Sequence, residues 1–245
     1  MATTNDPDIP FLNTDQMREV DRAMIDDYGI LLIQMMENAG RNLAHLARTR
    51  FLNGDPAGQR VLVLAGTGGN GGGGLVCARR LHNWGASVNV RTTAPAESLA
   101  EIPRHQLSIL DRMAVDVQVA GGTSQLPDSN LIIDALIGYS LSGDPREPAA
   151  SLINAANAHA APILSLDTPS GIDTASGTAY TPAIQATATM TLALPKQGLQ
   201  SEAARDLIGE LYLADISVPP ALYSNSPLGL DVPQIFATEE IVRIW

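Results

Sequence analysis

The chain has 245 residues, a length suited to one large α/β domain or two small ones at the usual ~100–200 residues each. Hydrophobic residues make up 45% and charged residues 17%, a globular composition, while aromatics at 4% leave too few rings for a base-stacking platform. A net charge of −11, with no run of Lys or Arg, argues against nucleic acid and anionic membranes as partners, so a bound phosphate would be held by backbone N–H groups.

The single cysteine, Cys77, rules out an internal disulfide and points to a reducing compartment. Within Leu75-Val76-Cys77-Ala78 it reads as packing, not as a nucleophile. Neither a secretory leader pattern nor an apolar run near the ~18 residues of a membrane span is visible. The expected setting is therefore cytoplasmic.

In chain order, residues 1–12 are polar, broken by prolines, and read as a loose segment ahead of one domain over 13–245. Thr14 reads as the N-cap of a first helix with Met17, Val20 and Met24 on its apolar face, ended by Gly29. A second helix is predicted over 32–51, carrying Glu37-Asn38-Ala39-Gly40, a polar pair beside small residues. From Arg60 the pattern changes. Val61 to Ala65 is uninterruptedly apolar, as a strand buried on both faces requires. A glycine-rich loop, Gly66-Thr67-Gly68-Gly69-Asn70-Gly71-Gly72-Gly73-Gly74, leads into a helix over 75–84. Strands are predicted over 87–92, 115–120 at an edge, 131–134, 163–167, 189–194 and 210–216, helices over 103–113 and 147–161, and a short terminal helix over 238–245. This alternation implies a doubly wound, mostly parallel sheet with helices on both faces, Rossmann-like.

Ligands of such sheets sit beyond the carboxyl ends of the strands. Three features fall there: the glycine loop, Asp134, and Asp167 with Thr168-Pro169-Ser170-Gly171. Gly66, Gly68 and Gly71 match G-x-G-x-x-G between strand and helix, where a bare backbone can approach phosphate. The acid that a dinucleotide-binding dehydrogenase needs on its second strand is missing, and Arg91 is the one group there that would meet a 2′-phosphate. Asp134 reads equally as a helix cap or a ligand group, whereas Asp167 sits in an oxygen-rich turn. Two such carboxylates suit general acid–base work, or the holding of a hard cation with hydroxyl and amide oxygens. Lys196 ends another strand and reads as a solvated side chain, and the four histidines have no metal-ligand spacing.

Five segments in order resemble one family: Met17-Arg18-Glu19-Val20-Asp21, Met36-Glu37-Asn38-Ala39-Gly40, the glycine loop running into Leu75-Val76-Cys77-Ala78-Arg79, Asp134-Ala135-Leu136-Ile137-Gly138, and Asp167-Thr168-Pro169-Ser170-Gly171-Ile172-Asp173. Together they resemble the NAD(P)HX epimerases of the YjeF N-terminal domain family, apolipoprotein A-I binding protein among them. The resemblance implies an isomerase that repairs nicotinamide cofactors by interconverting the R and S forms of hydrated NADH or NADPH (NADHX, NADPHX). It also implies a homodimer. The chain ends at Trp245, so the dehydratase that completes the repair is expected to be a separate protein.

Position by position, the resemblance makes Asn70, Asp134 and Ser170 ligands of a potassium ion. Asp167 becomes the substrate-contacting acid and leading catalytic residue, with Asp134 second. The substrate-binding positions become Gly69, Asn70, Gly71, Gly72 and Gly73, together with Gly138-Tyr139-Ser140-Leu141-Ser142-Gly143-Asp144 on the phosphate side. The family has Asn where this chain has Gly69 and Asp where it has Gly73. The alternative reading is therefore a non-catalytic module of the same fold that binds a related ADP-containing metabolite or serves as a scaffold.

Overall fold

A computed structural model describes residues 9–121 and 125–245. Among them, eight strands form one sheet: β1 (Arg60–Ala65), β2 (Ser87–Thr92), β3 (Asp116–Val119), β4 (Leu131–Ala135), β5 (Ile163–Leu166), β6 (Ala188–Leu192), β7 (Glu210–Ala214) and β8 (Ile241–Arg243). Their order is β3-β2-β1-β4-β5-β6-β7-β8, parallel throughout except for β8, which runs antiparallel to β7. The order reverses between β1 and β4. A crevice opens at that point beyond the strand ends.

Seven α-helices pack around this sheet: α1 (Thr14–Asp26), α2 (Leu32–Leu46), α3 (Gly69–Asn83), α4 (Glu101–Arg112), α5 (Ala149–Asn157), α6 (Glu202–Ile208) and α7 (Pro220–Ser224). The unbroken apolar run of β1 is explained by cover on both faces. Val61, Val63 and Ala65 join the core under α2, α3 and α4, and Leu62 and Leu64 join the core under α5. The doubly wound α/β expectation holds.

Several local expectations do not. The predicted loose start covers residues 1–8, which lie outside the described residues, and 9–12, where Ile9 and Leu12 are buried. Leu12 is tied on both sides, donating to Pro195 O at 2.8 Å and accepting from Gln197 N at 2.9 Å. The first helix is capped by Asn13, not Thr14: Asn13 Oδ1 accepts from Gln16 N at 2.8 Å and Gln16 Oε1 accepts from Asn13 N at 3.0 Å. Residues 241–243 form an edge strand instead of a terminal helix, because Val242 points into the core beside Leu213. Eight residues are too few for periodicity to separate the two. α6 and α7 went unforeseen.

The largest correction concerns the glycines. The loop ends early, and α3 begins at Gly69. Gly72, Gly73 and Gly74 are helical positions pressed against neighbours: an added Cβ would stand 2.5 Å from Met36 Sδ, 2.7 Å from Leu166 Cδ2 and 2.6 Å from Ala135 Cβ respectively. Gly40 of α2 faces α3 in the same way, 2.4 Å from Val76 Cβ. These glycines let α3 seat tightly between α2 and the sheet, so their entropic cost is offset by packing.

Candidate active site

The crevice at the β1/β4 reversal opens into a cleft of about 540 Å³ that continues past the ends of β5 and β6. Its floor comes from the strand ends: Gly68, Gly69 and Asn70 after β1, 136–140 after β4, Asp167 after β5 and Lys196 after β6. Its roof comes from α1 and α2, through Met17, Asp21, Met35 and Met36. The polar pair foreseen at 37–38 fixes that roof in place. Glu37 receives both a 2.7 Å bond from Arg79 and a 3.1 Å bond from Gln106, while Asn38 donates to Ile216 O and Asn42 donates to Asp215 O at 2.7 Å.

Asp167 is the centre of the charged cluster. It is 5% exposed and adopts a φ of 67°, a left-handed conformation uncommon for a residue with a Cβ. Its N–H still extends the sheet, donating to Met190 O at 2.7 Å. Lys196, expected to be solvated, is instead 1% exposed and donates to Asp167 Oδ1, to Thr191 Oγ1 at 3.1 Å and to Leu192 O at 3.0 Å. Three bonds use all the donors of the ammonium. Among the described residues no donor reaches Asp167 Oδ2, which is left to the cleft.

Asp134 has the opposite environment. It is fully buried, and both oxygens are occupied: Oδ1 accepts from Ser170 Oγ at 2.6 Å and Leu136 N at 3.2 Å, and Oδ2 accepts from Ser165 Oγ at 2.8 Å and Ser170 N at 2.9 Å. Burial pushes its carboxyl above the ordinary range, against these four bonds. Asp134 lies beneath the cleft floor and braces it. The proposed second catalytic role therefore has no geometric basis, because no oxygen is turned to the cleft.

The other expected residues divide in the same way. Asn70 lines the cleft next to Gly138, and its buried Nδ2 has no hydrogen-bond partner among the described residues. Gly69 faces open space, with Met36 Cε 3.7 Å from a built Cβ. Gly71, Gly72 and Gly73 are packed behind the wall and do not line it. Of the phosphate-side segment, Gly138, Tyr139 and Ser140 reach the cleft, while Leu141, Ser142, Gly143 and Asp144 lead away from it, Asp144 accepting from Thr181 N at 2.9 Å. Arg91 is buried beside β3, 3.9 Å from Asp116, and does not line this cleft. Cys77 is buried, which pushes its thiol well up and leaves it inert.

Sequence reasoning missed two cleft groups. Lys196 is invisible as a partner until β5 and β6 lie side by side. Asp21 hides among the solvated charges of α1, yet it faces inward and accepts a short hydrogen bond from Tyr139 Oη. A second cavity, about 470 Å³ and walled by Pro219, Tyr223 and Phe236, has one carboxylate, Asp215, tied to Ser217 N at 2.6 Å.

The family model described as YjeF-related protein N-terminus matches residues 32–198. The chain belongs to this family. An NAD(P)H-hydrate epimerase of Dehalogenimonas lykanthroporepellens is 45% identical over 212 residues, covering 86% of this chain and 84% of that one. One from Pirellula staleyi is 36% identical, covering 84% and 91%. A bifunctional NAD(P)H-hydrate repair enzyme of Moorella thermoacetica is also 36% identical, but this chain spans only 41% of its length. Among solved structures, yeast ynu0 aligns with a TM-score of 0.80 at 25% identity, covering 96% of this chain and all of that one.

Proposed function

We propose that this chain is an NAD(P)H-hydrate epimerase that inverts the hydroxyl-bearing C6 of hydrated NADH or NADPH. The observation that carries the reading is Asp167: a carboxylate with one oxygen clamped by Lys196 and the other open to a cleft of about 540 Å³. The 45% identity to a named epimerase over most of both chains supports it. Asp167 Oδ2 takes the proton of the C6 hydroxyl, the C6–N1 bond opens with its electron pair going to the ring nitrogen, which takes up a proton as it leaves, and the resulting aldehyde turns about C5–C6. Reclosure on its other face and return of the proton give the second epimer. Because the oxygen stays on C6, a single carboxylate can handle both transfers of that proton. Such acid–base help is worth roughly 10²–10⁴-fold in rate.

The free N–H groups at the first turn of α3, with the backbone of 138–140, receive the diphosphate. The methionines of α1 and α2 roof the ring and exclude water. Asn70 and Ser170, with Asp134 behind them, offer amide and hydroxyl oxygens of the kind that hold a hard monovalent cation. The amide of Asn70 fits that role: no hydrogen bond holds its buried Nδ2, so it is free to present its oxygen. A potassium ion held there would supply fixed positive charge beside the substrate. The same reading makes the chain a cytoplasmic homodimer that works with a dehydratase acting on one epimer.

Gly69 and Gly73 do not favour the scaffold alternative. The space over Gly73 is filled by Leu166, and the space over Gly69 opens into the cleft, so neither change closes it. The deciding experiment supplies pure R-hydrate and follows the S form by chiral separation. Conversion at the uncatalysed rate would sink the epimerase reading.

A further inference from the structure

Ring opening at C6 needs a proton delivered to the departing ring nitrogen as well as one removed from the hydroxyl. Asp167 accounts for the second. Lys196 cannot supply the first, because its three N–H bonds are directed to Asp167, Thr191 and Leu192. Among the described residues lining the cleft, one acid and one phenol are paired with each other. Asp21 projects from α1 and Tyr139 from the turn after β4, and the Tyr139 hydroxyl and Asp21 Oδ2 share a short hydrogen bond. Both side chains line the same cleft as Asp167 and Lys196. Thr174 Oγ1 holds the backbone of Tyr139 by donating to its carbonyl at 3.0 Å.

We propose that Tyr139 and Asp21 form a proton relay serving the ring nitrogen, opposite in task to Asp167; the proposal rests on the epimerase reading. As the C6–N1 bond breaks, its electron pair goes to N1 and N1 takes the Tyr139 hydroxyl proton. Tyr139 takes the carboxyl proton of Asp21 in the same event, which requires the hydroxyl to turn toward N1 so that their shared hydrogen bond runs from the carboxyl to the phenol oxygen. Asp167 meanwhile holds the proton from the C6 hydroxyl. Reclosure reverses each transfer, so protons and electrons balance and no oxidant or reductant is required. Tyr139 is the donor at the reacting atom, and Asp21 acts through it as a positioning residue and proton store.

The surroundings suit that division. Burial raises the Asp21 carboxyl above the ordinary range, outweighing the bond from Tyr139 and the nearby Lys196 ammonium, while the Asp167 carboxylate raises it further. Burial and Asp21 likewise push the Tyr139 phenol up, with Arg18 opposing, so the phenol stays protonated between turnovers. A protonated Asp21 is lost as pH rises, so the relay predicts an alkaline limb in the rate.

The test measures epimerisation of pure R-hydrate by the wild-type protein, Asp21→Asn and Tyr139→Phe across pH, with a thermal-shift check that each variant is folded. Both substitutions preserve shape. The expected result is a fall in kcat of about 10²-fold or more in each, with KM little changed, and disappearance of the alkaline limb in Asp21→Asn. If both folded variants keep the wild-type kcat and pH profile, the relay is overturned while the epimerase reading stands. If the wild-type protein itself does not accelerate the reaction, both fall together.

Discussion

The ends of β4 and β5 look alike on paper, each an apolar strand closed by an aspartate, and the fold treats them in opposite ways. At β4 every lone pair of Asp134 is engaged by Ser165, Ser170 and the Leu136 amide, making the carboxylate a brace. At β5 the chain turns through a left-handed residue, which places Asp167 beyond the carboxyl end of the strand with one oxygen uncommitted. The serines decide the difference, since both sit where they can point at the first acid and neither can reach the second. A strand-end acid therefore reports on function only once its neighbours' donors have been accounted for.

The sharpest way to break this contrast is Asp167→Asn. It should lower kcat by about 10²–10⁴-fold, and it also strands the Lys196 ammonium in the interior at a cost of about 3–5 kcal/mol. Epimerisation kinetics and urea unfolding together check it, and an unaltered kcat would remove Asp167 from the chemistry. Asp134→Asn should do less to rate and act through the frame instead. An amide cannot accept from both Ser170 N and Ser165 Oγ, so unfolding becomes easier by about 1–3 kcal/mol with a smaller loss in turnover than at Asp167.

Gly73→Asp tests the wall behind the same two strands. Its Cβ would meet Leu166 Cδ2 at 2.7 Å, so a loss of about 1–3 kcal/mol and a lower Tm are expected. A gain in turnover without loss of Tm would instead show that the missing acid had limited the enzyme. The mildest change is Glu210→Gln, away from the cleft. The Arg50 guanidinium, with Tyr212 and Arg243, holds the Glu210 carboxyl down to about 2. Its stabilisation is therefore present above the ordinary glutamate pKa of about 4.3 and is lost as pH falls toward 2. The variant should lose that slope in acid melts and less than about 1 kcal/mol near neutrality, because Arg50 is partly exposed.

Much of the architecture was legible because the buried parallel strands announce themselves as short apolar runs between helical stretches. The acids at their ends were legible for the same reason. Lys196 was not: following Pro195 it looks like a surface residue, and only the pairing of β5 with β6 brings it to Asp167. Asp21 was masked by its neighbours, since Arg18 and Arg22 pair with Asp15, Glu19 and Asp27 at the surface of the same helix. The glycines misled through composition, because a stretch that looks like a flexible loop is rigid helix wherever three layers must approach closely.

The strap formed by Leu12 has a mechanical effect on the cleft. Bonded to the residues on either side of Lys196, it staples the start of α1 to the end of β6, while Asn38 and Asn42 pin α2 to the chain after β7. Roof and floor are thus laced together before any substrate arrives. A ligand entering such a vault meets walls already in position, and little ordering of the protein has to accompany its capture.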